Sequence, residues 1–118
     1  MVQFAGAHNP LWIVRGTTVL ETAADKQPIG RFDHAKPFKT NTVALQKGDT
    51  MCLFTDGFSD QFGGEKGKKF KAKPMKELLI SIHDKSAEEQ KKLIHQSFEM
   101  WRGKLEQVDD VCLLAVSI

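Results

Sequence analysis

The sequence predicts an α+β fold: mostly antiparallel strands, with two consecutive helices before a last central strand. Three observations carry this. The first half holds short apolar and β-branched runs separated by turn residues. In the second half, apolar residues fall at i, i+3, i+4 and i+7, the spacing of one helix face. An almost wholly apolar run then follows at 111–118. Strands grouped apart from helices point to α+β rather than to alternating βαβ units.

Each element has its own warrant. Segment 1–5 is a short apolar strand that ends at Gly6. Segments 11–14 and 18–20 flank Arg15-Gly16-Thr17 and read as a hairpin. The polar stretch 23–36 contains Pro28 and Gly30 and runs up to Pro37, so it reads as a loop. Segment 38–45 has strand composition, with Thr40, Thr42 and Val43 β-branched. Lys47-Gly48-Asp49 makes a turn into a buried strand at 50–54. Met75, Leu78, Leu79 and Ile82 share one face of a helix over 74–85, and Pro74 suits its first turn. Ser86 and Glu89 have capping-box spacing and open a helix over 86–103. Ile94, Phe98, Trp101 and Leu105 form its stripe, and Gly103 stops it. The run 111–118 is apolar at nearly every position, which predicts a strand buried on both faces.

Composition narrows the function. A length of 118 residues suits one domain. Lys and Arg number 17 against 15 Asp and Glu, a net charge of +2, which excludes an acidic tail and a histone-like protein. With 41% hydrophobic and 27% charged residues a core can form. The apolar runs fall far short of the roughly 20 residues that span a bilayer, and Met1-Val2-Gln3-Phe4 has no signal-peptide pattern. Cys52 and Cys112 lie in apolar runs without zinc or redox spacing. They read as buried free thiols of a cytoplasmic domain, with a disulfide as the alternative. The abrupt apolar start reads as a cut within a longer protein.

Four places can carry chemistry. In Phe54-Thr55-Asp56-Gly57-Phe58-Ser59-Asp60, an apolar strand delivers Asp56 at its end beside a permissive glycine. That suits a hard-cation ligand, or simply an Asp-Gly turn. Asp109-Asp110 stands before the last strand, where two adjacent acids repel unless a cation, a basic group or water offsets them. A capped loop with Asp110 in solvent is the plain alternative. If the two strand ends adjoin, Asp56 and Asp109 converge, and carboxylates without Cys or His suit Mg²⁺ or Mn²⁺. Ala5-Gly6-Ala7-His8-Asn9-Pro10 makes a corner in which His8 contacts substrate or is tied to backbone. Lys66, Lys68, Lys69, Lys71, Lys73 and Lys76, with Gly63, Gly64 and Gly67, form either a steering surface or a solvated loop. Sparse aromatics and near-neutral charge argue against a nucleic-acid module.

Ala5-Gly6-Ala7-His8-Asn9-Pro10, Pro28-Ile29-Gly30, Gly48-Asp49, Phe54-Thr55-Asp56-Gly57 and Asp109-Asp110-Val111 occur in an order that resembles the C-terminal half of the PPM-type (protein phosphatase 2C-like) phosphatase domain. The branch is that of stage II sporulation protein E and the sigma-regulator phosphatases of bacteria. The resemblance covers all 118 residues. It implies part of an α-β-β-α sandwich and removal of phosphate from serine or threonine of a protein. It implies two Mn²⁺ or Mg²⁺ ions in the complete domain, with Asp56 on one and Asp109 on the other. Gly57 shapes the turn and Asp110 stands beside the ligand. His8 and Asn9 belong to a motif of substrate-contacting or structural role. The partners implied are a phosphorylated protein, such as a sigma-factor regulator in signal transduction, and upstream sensor domains, with a membrane anchor elsewhere compatible. The family's earlier Asp-Gly motif, whose aspartate bridges both metals, has no counterpart here. The expectation is therefore a truncated, inactive portion that binds metal weakly and self-associates through an exposed face. The alternative is a pseudophosphatase or non-catalytic binding domain.

Overall fold

The computed structural model describes residues 1–31 and 33–118; Phe32, within the loop read over 23–36, lies outside the described residues. In chain order the elements are β1 (Val2–Phe4), β2 (Leu11–Arg15), β3 (Thr18–Thr22), β4 (Asn41–Val43), β5 (Thr50–Phe54), β6 (Phe62–Gly63), β7 (Lys68–Lys69), α1 (Ala72–Ser81), α2 (Ala87–Arg102) and β8 (Leu113–Ser117). This is the α+β class that the sequence predicts. One antiparallel sheet of order β3-β2-β5-β8 forms its centre. Two small antiparallel pairs, β1 with β4 and β6 with β7, flank it.

Strand β2 is buried on both faces because its residues alternate between two covers. Trp12 and Val14 face the helices, in one cluster with Cys52, Phe58, Met75, Leu79 and Phe98. Leu11 faces the opposite side with Val2, Phe4, Met51 and Leu53. Trp12 also stacks at a tilt on Phe54, ring centroids 4.4 Å apart, and its indole N–H donates to Glu21 (2.8 Å). Fully burying a side chain of this size contributes about 1.5–3 kcal/mol, so β2 and the two helices form one unit.

The helices follow the sequence with two adjustments. Helix α1 starts earlier and stops at Ser81, because tight turns at Ile82, His83 and Lys85 carry the chain to its next start. Ser86 caps α2, its hydroxyl accepting from the Glu89 amide (3.2 Å). The reciprocal half of the capping box is not formed among the described residues. Gly103, at φ 57, ends the helix with its N–H on the Glu99 carbonyl. Leu105 falls beyond that stop and is exposed, so the buried stripe ends at Trp101.

Three expectations change. The last strand is not central: among the described residues it borders only β5 and stands at the sheet edge. Leu114 and Val116 are 56% and 41% exposed on the face away from the helices, which β1 covers only in part. The strand read over 38–45 shrinks to β4, since its partner β1 offers only three residues to pair with. Cys52 is buried but Cys112 is exposed, both as free thiols. Apart from Phe32, the stretch read as a loop over 23–36 forms no strand or helix, and Gln27 pins it. Its amide donates to the Lys36 carbonyl (2.8 Å) and accepts from the Lys36 N–H (3.1 Å).

At one end of the sheet the buried Asp49 takes two hydrogen bonds from Arg15 (2.9 and 2.8 Å) and one from the Gln46 amide (2.8 Å). The Asp49 carbonyl accepts from Ile118 N–H, which ties β8 to the same corner. The Arg15 hydrogen bonds, then the Gln46 amide, hold the Asp49 carboxyl below its ordinary 3.8, at about 2, against the opposing effect of burial. A lowered folded-state value stabilises above the unfolded value and is lost as pH falls through the folded one. Thermal melts should therefore show a loss of Tm as pH falls from 3.8 towards about 2. An Arg15→Met variant should already melt lower at neutral pH. Burial pushes the Cys52 thiol up to about 11, so a thiol reagent should label Cys112 in the native chain and Cys52 only after unfolding.

Candidate functional site

The antiparallel register decides which loops meet. Trp12 pairs with Cys52, and Phe54 with Leu113. The entry to β2, the exit from β5 and the entry to β8 therefore lie at one end of the sheet, opposite the Arg15–Asp49 pair. The first carries His8 and Asn9, the second Asp56 and Gly57, and the third Asp109 and Asp110.

Thr55 joins the second loop to the third. Its N–H donates to the Cys112 carbonyl (3.0 Å). Its hydroxyl donates to the Asp110 carbonyl (2.9 Å) and accepts from the Cys112 N–H (3.1 Å). One side chain thus replaces two rungs of the ladder just where regular pairing stops. Gly57 packs against the same segment: a Cβ there would collide with the Asp110 carbonyl. The turn that follows closes on itself, since the Asp56 carbonyl accepts from the Asp60 N–H (2.9 Å) and the Ser59 hydroxyl (3.2 Å). Phe58 anchors it in the core, edge-on to Phe70 and Phe98 at 5.1 and 5.2 Å.

Asp56, Asp109 and Asp110 are all exposed. Among the described residues none of the three pairs with a cationic side chain. One Asp109 oxygen accepts from the Asp110 N–H (2.8 Å), a local turn bond, while the Asp109 carbonyl accepts from Gln107 (3.0 Å). The backbone brings the two acidic segments together. Among the described residues no group of three or more His, Cys, Asp or Glu forms a metal cage. The donor chemistry fits a hard cation, because what the sheet end presents is carboxylate oxygen.

The entry corner is shaped by backbone. His8 adopts φ 62, a left-handed conformation uncommon outside glycine. Its N–H donates to the Asp25 carbonyl (2.8 Å), and the Asp25 N–H donates to Gly6 (2.9 Å). Gly6 has no room for a Cβ, with the Phe4 ring, Ala24 and the Asn9 carbonyl around it. The His8 imidazole is exposed and Asn9 is half-buried.

Sequence reasoning missed Gln61, which is fully buried. Its amide donates to the carbonyls of Phe62 (3.0 Å) and Glu106 (2.8 Å). Its own carbonyl accepts from the Phe70 N–H (3.0 Å) and the Trp101 indole (2.8 Å). Gln61 therefore links the turn after Asp56, helix α2 and the segment that leads to Asp109. Nothing in the sequence marks one glutamine as buried, although its place beside Gly63 and Gly64 was a hint. Gly63 and Gly64 lie against Trp101, with no space for a side chain on Gly63.

This arrangement of sheet and helix pair is similar to part of solved PP2C-type phosphatase domains. The model of the stage II sporulation protein E (SpoIIE) family matches residues 1–118, and the chain belongs to that family. The SiaA-PP2C domain of Pseudomonas aeruginosa is similar at 29% identity and a TM-score of 0.89, over 98% of this chain and 45% of that one. The PP2C phosphatase domain, with a fragment of the regulatory domain, of the cell fate determinant SpoIIE from Bacillus subtilis shares the fold. Its TM-score is 0.71 at 20% identity, over 92% of this chain and 30% of that one. The chain thus spans less than half the length of these solved chains. No curated protein matches it. Among the described residues no helix is long and apolar enough to cross a membrane.

The close approach at Gly57 is testable. Gly57→Ala should destabilise the chain by about 1–3 kcal/mol or more, since the atom in the way is backbone and cannot rotate aside. Denaturant melts of the two proteins check it.

Proposed function

We propose that this chain is the C-terminal portion of a metal-dependent protein serine/threonine phosphatase domain, with Asp56 and Asp109 as ligands of Mn²⁺ or Mg²⁺. The observation that carries the reading is the Thr55 splice, which fixes the two acidic segments side by side at one end of the sheet. Asp56 and Asp109 would hold such ions, which when bound would polarise phosphoryl oxygens and activate water. The chain's own residues supply the scaffold. Gly57 lets the turn lie flat on Asp110, and the Asp110 N–H orients the Asp109 carboxylate. His8 and Asn9 hold the neighbouring corner.

Two carboxylates fall short of the about six oxygens a hard cation takes. The rest of the set comes from water, substrate and the remainder of the domain. Two features support that division. The matched SiaA domain is more than twice as long. The face of Leu53, Leu114 and Val116 is exposed beside an open strand edge, a surface that further chain can cover. The substrate class is a phosphorylated protein of a bacterial signalling pathway, of the kind that regulates sigma factors.

The test uses the complete domain. Asp56→Asn and Asp109→Asn should each lower Mn²⁺-dependent phosphoprotein hydrolysis by on the order of 100-fold or more, with Tm nearly unchanged because both side chains are exposed. In calorimetry the chain alone should bind Mn²⁺ weakly or not at all. Full activity in either variant would overturn the assignment.

A further inference from the structure

We propose that the basic hairpin beside the Asp56 turn is a docking surface for acidic residues flanking the phosphorylated residue of a protein substrate. The proposal rests on the phosphatase reading above and adds a substrate preference to it.

Lys66, Lys68, Lys69, Lys71 and Lys73 fall within eight consecutive residues, and all five are exposed. The net charge of the chain is only +2, so without these five lysines it would be net acidic. Five of the 17 basic residues thus crowd the β6–β7 hairpin and the start of α1. Their charge is also largely uncompensated. Lys69 reaches Asp60 at 3.7 Å with both side chains about half exposed, a pairing that contributes little. Among the described residues Lys66, Lys68, Lys71 and Lys73 meet no carboxylate within 4.0 Å. Lys76, one helical turn on, is already engaged by Glu21 at 3.5 Å and by the Trp12 ring at 5.1 Å.

The hairpin is held in place beside the site. The Phe70 N–H donates to the Gln61 carbonyl (3.0 Å), and the Lys71 N–H to the Ser59 carbonyl (2.7 Å). The Gly64 N–H donates to the Trp101 carbonyl (3.0 Å). Ser59 is three residues from Asp56, so Lys71 lies on the order of 10 Å from that carboxylate. An extended peptide advances about 3.4 Å per residue. Acidic side chains about three positions from the phosphorylated residue would then reach the lysines.

Lys71 sharpens the inference. It adopts φ 76 and ψ 166 at the start of α1 and makes no side-chain capping bond. That backbone region is nearly reserved for glycine. The fold would be better served by glycine, and nothing in the packing asks for lysine. An acidic polypeptide fits this surface better than a nucleic acid. Phe62 is the hairpin's exposed aromatic residue, whereas Phe70 is packed against Phe58 and Trp101, and stacking platforms need several free rings.

The test is fluorescence anisotropy on the full-length protein with three labelled probes. These are a phosphoserine peptide flanked by Asp and Glu, its twin with Asn and Gln, and poly-dT. The acidic peptide should bind roughly tenfold or more tighter than its twin at low ionic strength, and the advantage should shrink with added salt. Replacing Lys66, Lys68, Lys71 and Lys73 together by Gln should bring the ratio to about one. Lys71→Gly alone should lower the ratio while raising Tm by a few degrees, about 2–5 °C, which separates lost docking from lost folding. Equal affinity for the twins, a ratio unmoved in the fourfold variant, or tighter binding of poly-dT overturns the proposal. Hydrolysis of p-nitrophenyl phosphate by the unaltered protein is scored separately. Its absence, with the acidic preference intact, removes the phosphatase reading and leaves the hairpin as an acidic-segment binding surface.

Discussion

The antiparallel pairing of β5 with β8, extended past its regular end by Thr55, is the constraint on which the acidic end of the molecule depends. Neither Asp56 nor Asp109 is positioned by its own contacts with the other. Each is exposed, and each is carried by backbone that the strand pair holds in register. Because β2 also holds β5, a one-residue slip would turn β8 over and exchange its two faces. The core side of the pair, with Cys52 buried and Leu113 packed against the cluster, resists that exchange.

A second layer of control comes from Gln61 and Trp101. The helix pair covers one face of the sheet, yet it also reaches the acidic end through the Trp101 indole and the Gln61 amide. Replacing Gln61 would free the Phe62 and Glu106 carbonyls that its side-chain amide holds, while the bonds from Trp101 and Phe70 to its main-chain carbonyl would remain. Gln61 thus ties the segment before Asp109 to the turn after Asp56 and to α2, so the geometry of the acidic end and the seating of α2 are not independent properties.

Much of the frame was legible in the sequence because it rests on local rules. Gly16 marks the β2–β3 hairpin, Ser86 and Gly103 bracket α2, and apolar spacing gives both helix faces. Family motifs and strand ends pointed to Asp56 and Asp109, and the pairing of β5 with β8 puts their segments at one place. What stayed hidden depends on distant partners. An apolar strand reads alike whether its cover lies within the described residues or not, so the edge position of β8 was invisible. Cys112 shares the composition of a buried strand but sits where that strand has not yet begun. Gln61 and Thr55 look like ordinary polar residues, and their roles arise from hydrogen-bond partners some 40 to 57 positions away. The lysine-rich stretch looked like a solvated loop, since nothing local announces the Trp101 contact that holds it.

The splice at Thr55 also has a kinetic meaning. The residues it joins are 57 positions apart, whereas the β2–β3 turn closes over two residues. Loop closure costs entropy that grows with separation, and contacts between remote segments are the ones that slow folding. Hairpin and helices can form from their own neighbourhoods on a fast timescale. The acidic end cannot, because its two halves meet only once the intervening chain has collapsed. The acidic end should thus assemble late, and a partly folded form would hold the local hairpin and helices with that end still open.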